Sequence, residues 1–275
     1  MSTGSNPPAA LSLSPSEAKR AAFAGRMAEI LDASALNAAL CLGYRAGLFE
    51  AMDRLGCPAS CAAIAREAGL AERYVREWLG AVACGGVVEL SVSASGEELF
   101  LLPPEHAALL TRRAGQANLG VYTQEIPLLT QCALEDVLAG FGTGQGVPYE
   151  RYPRFHEWMG QVAEAKHREV LVDVFLPSVA GGEVLRRLRE GIDVLDVGCS
   201  EGLVALLMAR AFPKSRFLGV VISGEALEKA RSEAARLRLG NVRFELRDAA
   251  GLAGDAALAG KFGYVTAFDA IHDQT

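Results

Sequence analysis

The chain has 275 residues, 51% of them hydrophobic, and a formal net charge of −6 at pH 7. That length holds two ordinary domains with a sizeable core, and the acidic balance excludes the broad basic face of a general nucleic-acid binder. No run approaches the roughly 18 apolar residues of a membrane span, so no membrane association is expected.

Residues 1–15 are rich in Ser, Pro and Ala and lack the charged-then-apolar order of a secretory signal, so they read as a disordered tail. Ala and Arg just beyond leave a mitochondrial-transit reading open. The six cysteines are scattered; Cys57 and Cys61 stand four apart with no answering Cys/His pair, which argues against a zinc site. Reduced buried thiols and a cytoplasmic location follow.

From Ser16, a candidate N-cap, to Leu55 the chain carries Ala, Leu and Met at helical spacing. Residues 39–49 (ALCLGYRAGLF) are almost without polar groups and should be buried on most sides. Residues 60–79 read as helix, Gly69 turn, helix, which is helix-turn-helix spacing. A hairpin over 87–92 and 99–102, turning at Ser95-Gly96, completes a winged helix. The exposed side of its second helix would carry Glu72, Arg73, Arg76 and Glu77, two of each sign, whereas phosphate contact favours a cationic excess. A packing module is therefore expected, with DNA binding the alternative. Residues 107–140 read as helical, 140–153 as a Gly/Pro/aromatic loop, and 155–179 as helix carrying Trp158 and His167.

The stretch IDVLDVGCSEG (192–202) reads as a buried parallel strand, a turn bracketed by Gly198 and Gly202, and then a helix over 203–210. This is the layout in which backbone N–H groups and a helix start meet a cofactor, although two glycines also suit plain strand–helix packing. Residues 216–222, 242–248 and 264–270 read as three more strands, with an amphipathic helix over 224–239. Strands alternating with helices imply a doubly wound α/β sheet with its ligand at the carboxyl ends of the strands.

On these residues the chain resembles class I S-adenosylmethionine-dependent methyltransferases with an N-terminal winged-helix or dimerisation domain, the two-domain small-molecule O-methyltransferase type. VLDVGCSEG (194–202) resembles their first motif, RDA (247–249) the element after the third strand, and FDAIHDQ (268–274) the region after the fourth. The resemblance implies a fold of helical winged-helix domain followed by a Rossmann-like sheet with four of the family's seven strands. It divides the chain into a tail (1–15), a winged-helix/dimerisation domain (16–110), a helical linker and lid (111–180) and a partial cofactor-binding domain (181–275). It implies S-adenosyl-L-methionine as cofactor, held by Asp196, Gly198, Ser200, Gly202, Val221, Asp248, Ala249 and Phe268. His272 would be the general base toward a small-molecule acceptor, an imidazole being suited to that task. Tyr149, Tyr152, His156 and Trp158 would line the substrate side, or else serve as ordinary packing aromatics. A homodimer through the N-terminal domain is implied as well.

Four departures from the family pattern bear on activity. Ser200 replaces the middle glycine of the first motif. Val221 stands where a carboxylate binds the ribose, and a hydrogen bond to a charged group is worth roughly 1.5–3 kcal/mol. Weak cofactor binding is thus expected, tightened by Val221→Asp, unless the ribose is held elsewhere, Glu225 being a candidate. Gly263 stands where an acidic residue commonly precedes the fourth strand. Finally, the sequence ends three residues after His272, as in a truncated isoform, and this predicts an inactive chain. Two functions remain: a small-molecule methyltransferase, and a non-catalytic methyltransferase-like protein acting through dimerisation or partners. A nicotinamide dehydrogenase is disfavoured because the G-x-G-x-x-G order is missing.

Overall fold

The computed structural model describes residues 14–148, 151–152 and 154–271. The first helix, α1 (Pro15–Ala46), starts two residues earlier than the Ser16 expectation. Ser14 caps it through a reciprocal pair in which Glu17 N–H donates to Ser14 Oγ and Ser14 N–H donates to the Glu17 carboxylate. Pro15, with its fixed φ and missing N–H, suits the first helical position. Gly47 in the left-handed region ends the helix and opens α2 (Leu48–Leu55).

Helices α3 (Cys61–Ala68) and α4 (Glu72–Cys84) follow, with Ser60 capping the first and Gly69 turning between them. Strands β1 (Glu89–Val92) and β2 (Glu98–Leu101) form an antiparallel hairpin, and Phe100 makes a bridge back to Ala59. The core of this part gathers Tyr44, Phe49, Ile64, Val75, Trp78, Leu79 and Val82. Trp78 is its hub: its ring meets Phe49 edge-on at 5.4 Å, and its Nε1–H donates to Ala39 O at 2.8 Å. On α4, Arg73 pairs with Glu77 and Arg76 with Glu72 one turn apart, so the four charges of its outer side balance one another.

The expected helix over 107–140 is in fact broken. It runs as α5 (Pro104–Leu110), two 3-10 turns (Arg112–Ala117 and Gly120–Gln124), and α6 (Glu125–Thr143). The breaks are held by side chains that compete for backbone groups: Asn118 accepts from Val121 N–H, and Thr123 donates to Gly120 O. The helix expected over 155–179 breaks too. It comprises α7 (Phe155–His167), a π-helical turn (Leu171–Phe175) and the short α8 (Leu176–Ser178), before α9 (Glu183–Glu190).

The second half is a four-stranded parallel sheet in the order β5-β4-β3-β6. Its strands are β3 (Asp193–Val197), β4 (Arg216–Val221), β5 (Val242–Leu246) and β6 (Tyr264–Thr266), with α10 (Leu203–Ala211) and α11 (Gly224–Arg236) as crossovers. The register aligns Asp196 with Gly219 on one side and Thr266 on the other. The chain leaves β3 toward β4 and later returns to pair β6 on β3's free side, so the crevice of the sheet opens beside β3. Buried polar groups pin the opposite, amino-terminal edge. Ser215 Oγ donates to Leu188 O at 2.7 Å and accepts from Ile192 N–H, while the Asn241 amide donates to Ala209 O and Ser215 O.

Gly43 is tightly constrained against the core's hub, because a Cβ there would lie 2.5 Å from the Trp78 ring. Overpacking of this kind costs about 1–3 kcal/mol. Gly43→Ala should therefore lower the unfolding free energy by that amount, read as a lower urea midpoint, with loss of the buried Trp78 fluorescence environment; an unchanged midpoint would show that the ring moves freely.

Candidate functional site

A cavity of about 330 Å³ lies at the carboxyl ends of the strands. Its floor is the turn after β3, and its sides are the ends of β4, β5 and β6. Gly198 (φ 68°) and Gly202 (φ 82°) both take left-handed backbone, and a Cβ on Gly198 would strike Ala270 at 2.4 Å. The turn is anchored over β4 by Cys199 N–H, which donates to Val220 O at 3.0 Å. Ser200, between the two glycines, also takes left-handed backbone at φ 49°. For an L-residue that costs about 1–2 kcal/mol, and its hydroxyl is buried with no partner among the described residues.

Asp196, at the end of β3, is the most buried carboxylate of the site. Its Oδ1 accepts from Thr266 Oγ1 at 2.7 Å, whereas Oδ2 has no partner among the described residues. Burial pushes the carboxyl up to about 7, and the Thr266 hydrogen bond only partly offsets this. The neighbouring Cys199 thiol is pushed up as well, first by burial and then by the Asp196 charge, so it is not a nucleophile at neutral pH.

The roof is α7. Trp158 and Val162 on one face are buried in the helical core, Trp158 Nε1–H donating to Val121 O at 3.1 Å. The other face presents Met159, Gly160, Ala163 and His167 to the cavity. Contacts at both ends hold the roof down. Glu201 packs on Gly160, and Lys166 Nζ meets Asp269 Oδ2 at 2.7 Å while the His167 ring meets Phe268 at a tilt, centroids 4.7 Å apart. Burial lowers the His167 pKa, as does Lys166 more weakly, with Asp269 opposing, so the imidazole is held neutral at pH 7.

Of the residues expected from the sequence, Asp196, Gly198, Ser200, Val221, Asp248, Ala249 and Phe268 line this one cavity. Gly202 does not line it; it lies behind, against Phe244 and Ala230. Val221 is buried among Leu206, Leu227 and Phe244, so an aspartate there would meet an apolar wall as well as the cavity. Trp158 belongs to the helical core, because its face of α7 points away from the sheet. His272 and Tyr149 lie outside the described residues, as does the His156 side chain; Tyr152 does not line the cavity. Sequence reasoning missed Met159, Ala163 and His167 as a lining face, although their spacing of four marks one side of a helix. It also missed Glu201, a charge inside the glycine turn itself. Among the described residues no group of three or more His, Cys, Asp or Glu is placed to hold a metal ion, and no helix is long and apolar enough to cross a membrane.

The charge balance favours a cationic ligand. Asp196, Glu201, Asp248 and Asp269 line the cavity; Glu201 is paired to Lys229 and Asp269 to Lys166, as the lining Arg247 is to Glu245 and Asp255, which leaves Asp196 and Asp248 without a cationic partner among the described residues. The folded Asp196 keeps its proton to higher pH than the unfolded chain, so the native state binds more protons between pH 4 and 7 and stability falls as pH rises through that window. The difference is on the order of 4 kcal/mol at 1.36 kcal/mol per unit. Asp196→Asn should remove this component, which thermal denaturation of both proteins at pH 5 and pH 8 would show; identical pH dependence would mean that the carboxyl is solvated.

Residues 34–112 match the Rv2258c-like winged HTH domain, and residues 188–275 match a methyltransferase domain. A 62-residue segment is 39% identical to (S)-coclaurine N-methyltransferase of Papaver somniferum, covering 22% of this chain and 18% of that protein. The fold is similar to that of human N-acetylserotonin methyltransferase, solved in complex with SAM (TM-score 0.55, 15% identity, 82% of this chain and 66% of that one). It is similar also to PigF, solved with SAH (TM-score 0.55, 18% identity, 93% of this chain and 71% of that one). The chain thus spans about two thirds of the length of the human enzyme and less than a fifth of the plant one. At the level of domains, this chain carries an Rv2258c-like winged helix-turn-helix domain followed by a methyltransferase domain on the fold of S-adenosylmethionine-dependent methyltransferases.

Proposed function

We propose that the cavity binds S-adenosylmethionine and that the protein transfers its methyl group to a small molecule. The observation that carries this reading is the orphaned, buried Oδ2 of Asp196 in an acidic cavity at the switch point of a parallel sheet. An unpaired buried carboxylate is costly, and a cationic ligand offers it the missing partner. S-adenosylmethionine, when bound, supplies an electrophilic methyl group on a sulfonium. The remaining tasks fall to the chain. Asp196 receives the ligand's ammonium, while the Gly198 turn gives room for close backbone approach. Asp248 and Ala249 at the end of β5 flank the adenine, and Met159 and Phe268 exclude water from the opposite end. For a hydroxyl acceptor, a base takes the proton as the new bond forms. His272 is the candidate from sequence; the neutral His167 stands in the cavity wall.

A second reading, a methyltransferase-like protein without catalysis, is favoured by Val221 and by the strained Ser200. Calorimetry with S-adenosylhomocysteine tests the first step of both. Binding is expected, and Asp196→Asn should weaken it at least tenfold if one charge-assisted hydrogen bond of about 1.5–3 kcal/mol is lost. No heat at ligand concentrations on the order of 100 μM would remove cofactor binding from this reading.

The protein is also proposed to be a homodimer in the cytoplasm. The apolar run 39–49 does not supply the interface directly, since Tyr44, Leu48 and Phe49 are consumed by the chain's own core. Instead, residues 14–35 of α1 are exposed throughout and carry Phe23, Met27, Ile30 and Leu31 along one stripe, and α6 exposes Leu134, Val137, Leu138 and Phe141. Most of a helix's stability in a protein comes from packing its apolar face, and a second copy would supply a partner for this one. Light scattering should give twice the 29.1 kDa monomer mass, and Phe23→Asp with Leu31→Asp should return it to the monomer. A wild-type monomer at micromolar concentration would rule the dimer out.

A further inference from the structure

The end of β4 offers a bound ribose no hydrogen-bond acceptor among its side chains, since Val221 and Ile222 line the cavity there. A ribose diol in a doubly wound sheet is ordinarily received by a carboxylate. Among the described residues four carboxylates line the cavity, and three are committed elsewhere. Asp196 is buried beside Thr266, Asp248 caps the turn after β5 by accepting from Ala250 N–H, and Asp269 is paired to Lys166 at the far end.

The fourth is Glu201. The turn that carries it is fixed over β4 by the Cys199–Val220 hydrogen bond, one residue short of Val221. Its Oε1 accepts from Lys229 Nζ at 2.9 Å, which ties the side chain to α11, the helix that follows β4. Its Oε2 has no donor among the described residues, and it lies beneath α7 where Gly160 carries no side chain; a Cβ there would stand 2.9 Å from it. Glu225, the other carboxylate on Lys229, is mostly exposed and does not line the cavity.

We propose that Glu201, oriented by Lys229 and given room by Gly160, receives the ribose hydroxyls of the cofactor in place of a carboxylate at Val221. This rests on the cavity being the S-adenosylmethionine site. Lys229 fixes one carboxylate oxygen and leaves the other, a strong acceptor, for O–H donors. The cationic partner on α11 and the missing side chain on α7 are then parts of the same arrangement.

Calorimetry on the full chain decides it, using S-adenosylhomocysteine and its analogue lacking both ribose hydroxyls. Wild type should prefer the parent ligand by about ten- to a hundredfold, the worth of a hydrogen bond to a charged group. Glu201→Gln should lose most of that preference while binding the dideoxy analogue as wild type does. Lys229→Ala should lose part of it, and Glu225→Gln none. Glu201→Asp, too short by one methylene, keeps the fold in play should the amide unfold the turn, and it should show the same loss. If wild type discriminates and Glu201→Gln and Glu201→Asp discriminate equally well, the inference falls and cofactor binding stands. If wild type binds the parent and the dideoxy ligand alike, the ribose is not read and the inference falls. If wild type binds neither ligand, cofactor binding falls, and this inference with it.

Discussion

The second half of the structure depends on the contact between the turn after β3 and the strands beneath it. Cys199 N–H donates to Val220 O, and the turn passes so close to its neighbours that a Cβ on Gly198 would strike Ala270. A Cβ on Gly219 of β4 would likewise meet Phe244 and Cys199 Sγ at under 3 Å. Gly198 and Gly219 thus allow the backbone of the turn to sit directly on the sheet. The same closeness buries Asp196 so fully that its carboxyl is pushed up to about 7. Burial of the carboxylate and formation of the cavity are one geometrical event, since the turn that seals Asp196 from below leaves its second oxygen without a partner among the described residues.

Helix α7 makes the cavity a shared product of both halves. Its Trp158 and Val162 face is consumed by the helical core, and its Met159 to His167 face closes the sheet's crevice. Whatever shifts one core relative to the other therefore shifts the roof. The Lys166–Asp269 pair and the His167–Phe268 ring contact couple that roof to the loop after β6. The ion pair is partly exposed and worth little by itself; the ring contact beside it, with Phe175 edge-on to Phe268 at 5.6 Å, does more to hold the loop.

The departures from the methyltransferase pattern take on different weights once placed in space. Ser200 keeps the left-handed backbone of the glycine it replaces, so the turn survives at a local cost. Val221 is part of an apolar wall with Leu227 and Phe244. Restoring a carboxylate there would desolvate it, so loss of the acidic residue and repacking of the wall belong together. Gly263 is held against Ile192 and the Arg187 guanidinium, and its N–H donates to Asp193 O. It serves as a backbone contact at the start of β6, far from the cavity.

Much of the fold and part of the site were legible in the sequence. Period-two runs, paired glycines and short connections located all four parallel strands, and the helix-turn-helix with its hairpin was readable from Gly69 and Ser95-Gly96. Three of the strands were read too long at their carboxyl ends, because the ladders stop at Val221, Leu246 and Thr266 and the chain turns there into the loops that line the cavity. The breaks inside 107–140 and 155–179 were not legible, since helical periodicity persists there while Asn118, Thr123 and the π-turn are satisfied only by tertiary neighbours. The motif residues were found as a list, and only folding showed that seven of them share one cavity while Gly202 stands behind it. By itself the sequence determined the four parallel strands, the helix-turn-helix with its hairpin, and which strand carries the glycine turn, for these follow from local periodicity and backbone freedom. Tertiary structure alone decided which face of α7 roofs the cavity, that Asp196 Oδ2 has no partner among the described residues, and that Glu201 lines the cavity where Glu225 does not. Those are properties of packing between segments far apart in the chain, and no local pattern encodes them.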